Sequence, residues 1–368
     1  MLTLLVFLLV LTVLVLIHEL GHFFVAKKFN IKVEEFGFGF PPRAWGKKIG
    51  ETIYSINWLP IGGFVKLYGE DEAGGGKIGK IKQAIGAVKN KDRAFYARPW
   101  WQRFLVGFAG VFMNLVLAVA IFSFLFAVVG SQVLKDEILI SQVVKDSPAE
   151  KVGLKQGDII QRIGNTKITS TNQLVSETRK HLGEEIILLV KRDSELKFVE
   201  VVPREDFPKG EGPLGIAIAQ NFEIKKYSWI EAPVAGTKQT FEASRQIISG
   251  LGTIVFQLFT TGAVPKDVAG PVGIAQLTGF FCSNVNLCLT FVAYLSINLA
   301  ILNVLPIPAL DGGRLFFILI EAVTRRKVNQ RFESLVHAIG MVLILSLLAL
   351  ITLYDLSRLF SGQPLIPR

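Results

Sequence analysis

Residues 2–28, LTLLVFLLVLTVLVLIHELGHFFVAKK, form a long apolar run that indicates the class of fold. A helix needs roughly 20 apolar residues to cross about 30 Å of hydrocarbon, and this stretch is long enough. A secretory signal would have a basic segment before it and a small-residue cleavage site after it, and the sequence shows neither. Lys27 and Lys28 follow the apolar run as an anchor. Residues 1–26 are therefore predicted to be a retained transmembrane helix.

Three further apolar stretches predict a polytopic α-helical membrane protein with about four transmembrane helices. They lie at 104–130, 282–323 and 335–360. The 368 residues are 51% hydrophobic and 19% charged, with a mean hydropathy of +0.45. Soluble domains carry roughly 25% charged residues. We attribute the net charge of +10 to cytoplasmic loops, so we expect no nucleic-acid partner.

The distribution of charge predicts the orientation in the lipid bilayer. Residues 27–103 contain 15 Lys/Arg against 7 Asp/Glu, whereas residues 130–281 contain 18 of each. The short segment 324–334 is strongly basic. Because basic loops stay in the cytoplasm, 27–103 and 324–334 are predicted to be cytoplasmic. The middle region and both termini are then extracytoplasmic.

The middle region is predicted to hold a β-rich domain at 131–220, followed by an amphipathic helix and linker at 221–281. The string SPAEKVGLKQGDIIQRIGNTKI, residues 147–168, closely resembles a PDZ domain. That resemblance implies a small sandwich with two helices and a groove that takes a peptide as an added strand. The residues alone leave two roles equally open, which are peptide binding and a spacer or steric filter.

His18, Glu19 and His22 form an H-E-x-x-H motif inside the first helix. Positions i and i+4 share one helix face, so both imidazoles can reach one metal ion. Zinc lowers the pKa of a bound water towards about 7, and Glu19 could take its proton. At 1.5 Å per residue, the histidines lie roughly 7–14 Å inside the anchor at Lys27. Ionisable groups at such depth indicate function.

A catalytic zinc requires a third protein ligand, and residues 303–313, NVLPIPALDGG, offer Asp311. Pro306 and Pro308 break the helix there, which is tolerated only where protein or water covers the freed backbone groups. Asp311 follows the break, near the cytoplasmic end of a helix that runs inward. It is predicted to lie at the depth of the histidines, where it could also cap the helix that resumes at Gly312.

The H-E-x-x-H motif together with N-x-x-P-x-P-x-L-D-G resembles the site-2 protease family, which comprises intramembrane zinc metalloproteases. A single PDZ domain between the second and third helices is similar to the bacterial RseP-type branch. The resemblance implies that His18, His22 and Asp311 bind Zn2+. It further implies that Glu19 is the catalytic base and that Asn303 orients the substrate or stabilises the oxyanion.

The resemblance also implies a membrane-associated, re-entrant β-hairpin at about 50–70 within the first cytoplasmic loop. Gly62, Gly63, Phe64 and Val65 would pair there with an unwound substrate strand. Such pairing fits the physics, because backbone groups freed in a dry site need partners. Asn298 either lines the substrate path or forms a hydrogen bond between helices.

The implied function is hydrolysis of a single-span membrane protein within the bilayer, after another protease has removed its outer part. Anti-sigma factors and signal-peptide remnants are the substrates that the family implies, and the bacterial inner membrane is the implied location. Two alternatives are a membrane zinc transporter and a non-proteolytic PDZ scaffold. A transporter needs polar residues across the whole bilayer, whereas here they form one compact site. The intact Glu19 argues against a silent scaffold.

Cys282 and Cys288 are expected at the outer face, where an oxidising compartment would allow them to pair. Six residues along one helix would place them on different faces, so free thiols are an equally open expectation.

Overall fold

The computed structural model describes residues 2–70, 91–208, 210–261 and 269–361. Residues 71–90 of the predicted cytoplasmic loop and 262–268 of the predicted outer linker lie outside this description. The chain divides into two compact units. The helical unit comprises Met1–Val129 and Tyr227–Arg368, and the sheet unit comprises Gly130–Lys226.

In chain order the helices and strands are α1 (Leu2–Lys28), β1 (Val33–Ile49), β2 (Thr52–Leu67), α2 (Trp100–Val128), β3 (Ser131–Val143), α3 (Pro148–Lys151), β4 (Ile159–Ile163), β5 (Thr166–Lys167), α4 (Thr171–Lys180), β6 (Ile186–Arg192), β7 (Glu195–Val201), β8 (Ile216–Lys225), α5 (Ala232–Thr261), α6 (Pro271–Phe281), α7 (Val285–Val304), α8 (Asp311–Thr324) and α9 (Gln330–Phe360).

Four helices in the described ranges are long and apolar enough to cross a membrane: α1, α2, α7 and the part of α9 from Arg331. Small side chains allow them to pack closely, as is usual for helices in lipid. Ala118 of α2 and Ala293 of α7 are fully buried in one cluster, to which Ala243 of α5 also belongs. Val10 and Leu14 of α1 pack in a second cluster with Val292. These contacts join α1, α2 and α7 into the framework of the helical unit.

The hairpin formed by β1 and β2 begins earlier than the sequence predicted. Residues 35–38 of β1 pair with residues 63–66 and also with residues 53–56 of β2, so the ribbon folds back on itself. The predicted range of about 50–70 therefore contained only the second strand. Glycines and the Pro41–Pro42 pair make β1 look like a loop. Gly37 is needed because a Cβ there would lie 2.3 Å from the ring of Phe64.

The hairpin turn is held against the end of α1 by charge. Glu51 accepts a hydrogen bond from Lys27 Nζ at 2.8 Å and two from the Arg93 guanidinium at 2.7 and 2.8 Å. The hydrogen bonds from Arg93 have the largest effect, followed by the one from Lys27, and they lower the pKa of Glu51 to about 2. The turn thus stays fixed beside the first helix at neutral pH.

The sheet unit has the strand order β7-β6-β4-β3-β8, with β5 paired to β4. Ile138, Ile160 and Leu188 are fully buried in its core. Ser147 caps α3 by accepting a hydrogen bond from the Glu150 amide. The unit extends past the predicted end at 220, because β8 continues its pairing with β3 as far as Lys225.

Cys282 and Cys288 form a disulfide. The sequence argument for different faces assumed one continuous helix, which is wrong. Cys282 is the C-cap of α6, whereas Cys288 lies in the first turn of the separate helix α7. The turn between the two helices brings the thiols together.

Candidate metal centre

α1 and the start of α8 bring the three predicted ligands together. His18 Nε2 lies 2.8 Å from Asp311 Oδ2, and His22 Nε2 lies 3.3 Å from the same oxygen. The two Nε2 atoms are 3.1 Å apart. All three donor atoms lie within 4.8 Å of one another. Two imidazoles and one carboxylate are a donor set that zinc prefers, and they leave an open position for chemistry.

Residues 305–310 deliver Asp311 to the histidines. They connect α7 to α8, and Asp311 is the first residue of α8. Gly312 makes this geometry possible, because a Cβ there would lie 1.9 Å from the Leu305 carbonyl oxygen. A Cβ at Gly313 would lie 2.6 Å from the Ile307 carbonyl oxygen. The glycine pair after Asp311 is therefore required by the close approach of the connecting backbone.

The far ring nitrogens of the two histidines also have partners, and these fit a bound metal. His22 Nδ1 donates to the Val106 carbonyl oxygen at 2.7 Å, which leaves the Nε2 lone pair free. His18 Nδ1 lies 3.1 Å from Asn114 Nδ2. Within the described residues, the buried Asn114 Oδ1 has no hydrogen-bond partner. With a metal on His18 Nε2 the proton resides on Nδ1, and a rotated Asn114 amide would accept it through Oδ1.

Glycines in two helices make room for the histidine rings. A Cβ at Gly110 of α2 would lie 2.4 Å from His22 Nε2 and 2.6 Å from His18 Nε2. A Cβ at Gly21 of α1 would lie 2.3 Å from the Ala109 carbonyl oxygen. α1 and α2 therefore approach each other closely beside the donor atoms, and a side chain at Gly110 would overlap the imidazoles.

Glu19 and the hairpin meet at the same place. The Glu19 carboxylate lies close to the backbone of Val65, one of the predicted strand-pairing residues. A Cβ at Gly63 would lie 3.0 Å from Leu16 Cδ2 and 3.9 Å from Glu19 Cγ. Gly62 adopts a φ of +73°, which favours glycine. Phe64 is partly buried, with its ring over Gly37.

The two predicted asparagines of α7 form no hydrogen bond with the three ligands within the described residues. Asn303 lies next to the last residue of α7 and is partly buried, and Asn298 is partly buried one and a half turns earlier. Their roles stay predictions.

Ion pairs tie the surrounding elements to α8. Arg314, one turn after Asp311, pairs with Glu70 just after β2. Arg103 of α2 pairs with Glu321 at 2.6 Å. These side chains and His337 help to line a cavity of about 380 Å³. Asp311 is thus set in a helix that is fixed to both the hairpin and α2.

Sequence reasoning missed Gly110 and the contact of Asn114 with His18. A usable signal was present, because residues four apart in an apolar helix share one face, and Gly110 and Asn114 have that spacing.

Comparison with known proteins places the chain in a family. The model of peptidase family M50 matches residues 6–347. The regulator of sigma-W protease RasP of Bacillus subtilis is 30% identical over 427 residues, which cover 97% of this chain and 99% of that protein. A Clostridium perfringens protein assigned to the zinc metalloproteases is 35% identical over 356 residues, with coverage of 95% and 97%.

A solved structure matches part of the chain. The PDZ domain of the SdrC-like protein from Listeria monocytogenes covers 24% of this chain and 94% of that domain, at 22% identity and a TM-score of 0.21. The family match and the relatives confirm the family, the metal and the enzyme class that the sequence predicted. The chain belongs to peptidase family M50, the site-2 proteases, and is a membrane zinc metalloprotease.

Proposed function

We propose that His18, His22 and Asp311 hold the zinc ion and that Glu19 is the catalytic base. The observation that carries this proposal is the meeting of three donor atoms within 4.8 Å, from elements 293 residues apart in the chain. Glu19 is adjacent in sequence to His18 and lies close to the backbone of Val65. Zinc, when bound, polarises the scissile carbonyl and acidifies water.

Glu19 and Asn303 would then transfer the proton of the attacking water and stabilise the negative charge on the peptide oxygen. Glu19 accepts the proton of the attacking water and returns it to the departing amine. The backbone of Val65 lies close to this carboxylate, so the hairpin would keep Glu19 beside the metal ligands. The Asn303 amide would donate to the oxygen that becomes negatively charged when the peptide carbonyl is attacked.

We propose that the hairpin binds the substrate by strand addition. A transmembrane helix must unwind before its peptide bonds can be reached, and its freed backbone groups need partners in a dry site. Residues 63–65 pair with residues 36–38 on one side, and within the described residues their other edge has no paired strand. Gly62, Gly63, Phe64 and Val65 would receive the unwound segment there, and Asn298 would line its path.

We propose a pre-trimmed single-span protein as the substrate, such as an anti-sigma factor or a signal-peptide remnant, in the bacterial inner membrane. The name of the Bacillus subtilis relative, regulator of sigma-W protease, supports the first class. The disulfide supports the proposed orientation, because thiols stay reduced in the cytosol. The sheet unit and both termini would then be extracytoplasmic, and the PDZ-like groove would contact or select the substrate.

The test is cleavage of a single-span polypeptide by the detergent-solubilised protein, with zinc counted per chain, for wild type and Glu19→Gln. We expect one zinc in both proteins and cleavage within the span by wild type alone. If both hold zinc and neither cleaves any of several spans, a transport or scaffold role replaces the proposal. If Glu19→Gln cleaves as wild type does, Glu19 is not the base.

A further inference from the structure

The segment 305–310 adopts an unusual backbone just before Asp311. Ala309 has a φ of +75°, in the left-handed region that residues with a Cβ rarely adopt. Such a conformation persists only where the surroundings enforce it. The position of the Asp311 carboxylate depends on it, because Ala309 is two residues away in the chain.

α9 supplies the surroundings through His337 and Gly340. The Ala309 amide donates a hydrogen bond to His337 Nδ1 at 2.9 Å. Gly340, one turn later, lies so close to the segment that a Cβ would be 2.3 Å from Pro308 Cβ. The helix α9 is thus in direct contact with the backbone that precedes Asp311.

His337 is itself held rigidly. The side chain is buried, with 4% of the residue exposed. Its ring centroid lies 5.8 Å from that of Phe317 in α8, and a Cβ at Gly313 would lie 3.1 Å from His337 Cε1. The ring therefore touches α8 on one side and the segment 305–310 on the other.

The hydrogen bond fixes the tautomer of His337. An amide N–H can only donate, so Nδ1 must carry the lone pair and Nε2 must carry the proton. Within the described residues, Nε2 has no hydrogen-bond partner, although His337 borders the cavity of about 380 Å³. Within the described residues, His337 therefore forms its hydrogen bond to protein through Nδ1 and not through Nε2.

We propose that His337 is a positioning residue that holds the Ala309 turn and thereby sets Asp311 against His18 and His22. This inference rests on the proposed metal triad. The acceptor at Nδ1 stabilises the left-handed turn at Ala309, and the turn aims the first residue of α8 at the two imidazoles. Within the described residues, no hydrogen bond or ion pair joins His337 to His18, His22 or Asp311, so its effect on them would pass through the Ala309 turn.

Two substitutions of His337 separate the acceptor from the bulk of the side chain. In His337→Asn the amide oxygen can occupy the place of Nδ1, whereas in His337→Gln the amide reaches the place of Nε2. We would measure the zinc dissociation constant of the detergent-solubilised full chain in metal-buffered solution, together with its melting temperature. We expect His337→Gln to weaken zinc binding by about 10-fold, in line with other indirect ligand supports, and His337→Asn to stay within about 3-fold of wild type.

The double variant with Asp311→Asn tests whether the effect of His337 on zinc binding depends on Asp311. We expect Asp311→Asn to weaken zinc binding strongly and His337→Gln to add nothing further in that background. Equal effects of Gln and Asn, or an undiminished effect of His337→Gln without Asp311, would overturn the proposal, whatever the melting temperatures. If Asp311→Asn leaves zinc binding unchanged, the metal triad itself is wrong. If Asp311→Asn weakens zinc binding but His337→Gln does not, the proposed metal triad is retained and the inference about His337 is wrong.

Discussion

Asn114 Nδ2 lies 3.1 Å from His18 Nδ1, on the ring edge opposite the Nε2 atom that faces Asp311. The helix α2 thus contacts His18 at the ring nitrogen that a metal on Nε2 would not use. Partners of this kind fix the tautomer and orientation of a ligand and typically contribute 10–100-fold in metal affinity.

Replacing Asn114 by Leu should weaken zinc binding by about 10–100-fold, because His18 loses the group that orients its ring. Zinc titration of the solubilised protein measures this. Ser296→Ala is the matched control, since Ser296 Oγ donates to the Asn114 carbonyl oxygen and not to its side chain. That variant should bind zinc as wild type does. Equal losses in both variants would mean that packing of α2 on α7, and not the Asn114 amide, supports the site.

Gly110→Ala should abolish zinc binding and cleavage. The new methyl group would overlap both histidine rings, at 2.4 Å from one Nε2 and 2.6 Å from the other. Gly107→Ala is the control in the same helix, because its Cβ would meet only the flexible end of Leu315 at 3.0 Å. Zinc content and cleavage of both variants provide the comparison. Normal zinc content in Gly110→Ala would show that the histidines do not occupy this space in the active protein.

The sheet unit should lose stability in acid through Asp158. Burial opposes ionisation of this side chain, but two bonds from Arg192 at 2.6 Å and one from the Lys155 amide outweigh it. They hold the pKa of Asp158 below its ordinary 3.8. A lowered folded-state pKa means that the contribution is complete above about pH 4 and is lost as the pH falls through the folded value.

Hydrogen exchange of the full chain, corrected for intrinsic rates, measures this loss in the sheet unit. Asp158→Asn should speed exchange at pH 7 by an amount equivalent to about 3 kcal/mol, because Arg192 loses its buried partner. The variant should then show less additional loss at pH 3 than wild type. Glu177→Gln, which removes an exposed pair with Lys180, should change little. An equal acid response in Asp158→Asn and wild type would refute the assignment.

The disulfide between Cys282 and Cys288 should protect both thiols from alkylation in intact cells until a reductant is added. Replacing both residues by Ser should lower stability by roughly 2 kcal/mol, as expected for a short cross-linked loop, while zinc binding persists. Maleimide labelling and thermal unfolding measure the two effects. Labelling of both residues without reductant would mean that the pair is reduced and would remove the support that it gives to the orientation.

The sequence determined the class of the protein and the identity of its chemical groups. Apolar runs of sufficient length predicted membrane-spanning helices, since the bilayer imposes a length and a composition that local sequence records. The H-E-x-x-H spacing fixed which face carries His18 and His22, because helical periodicity is a local property. The family motifs added Asp311, and the family match confirmed the zinc metalloprotease that they implied.

The residues that surround His18, His22 and Asp311 are known only from the tertiary structure. The strand β1, the pairing of Cys282 with Cys288 and the hydrogen bond of His337 with Ala309 were not predictable from local patterns. Each depends on where two distant segments end in space. Gly110 and Asn114 likewise affect the site only because α2 packs against α1, which brings both residues close to His18. Periodicity specifies the direction of a side chain along its own helix, but contact with another element requires the packed fold.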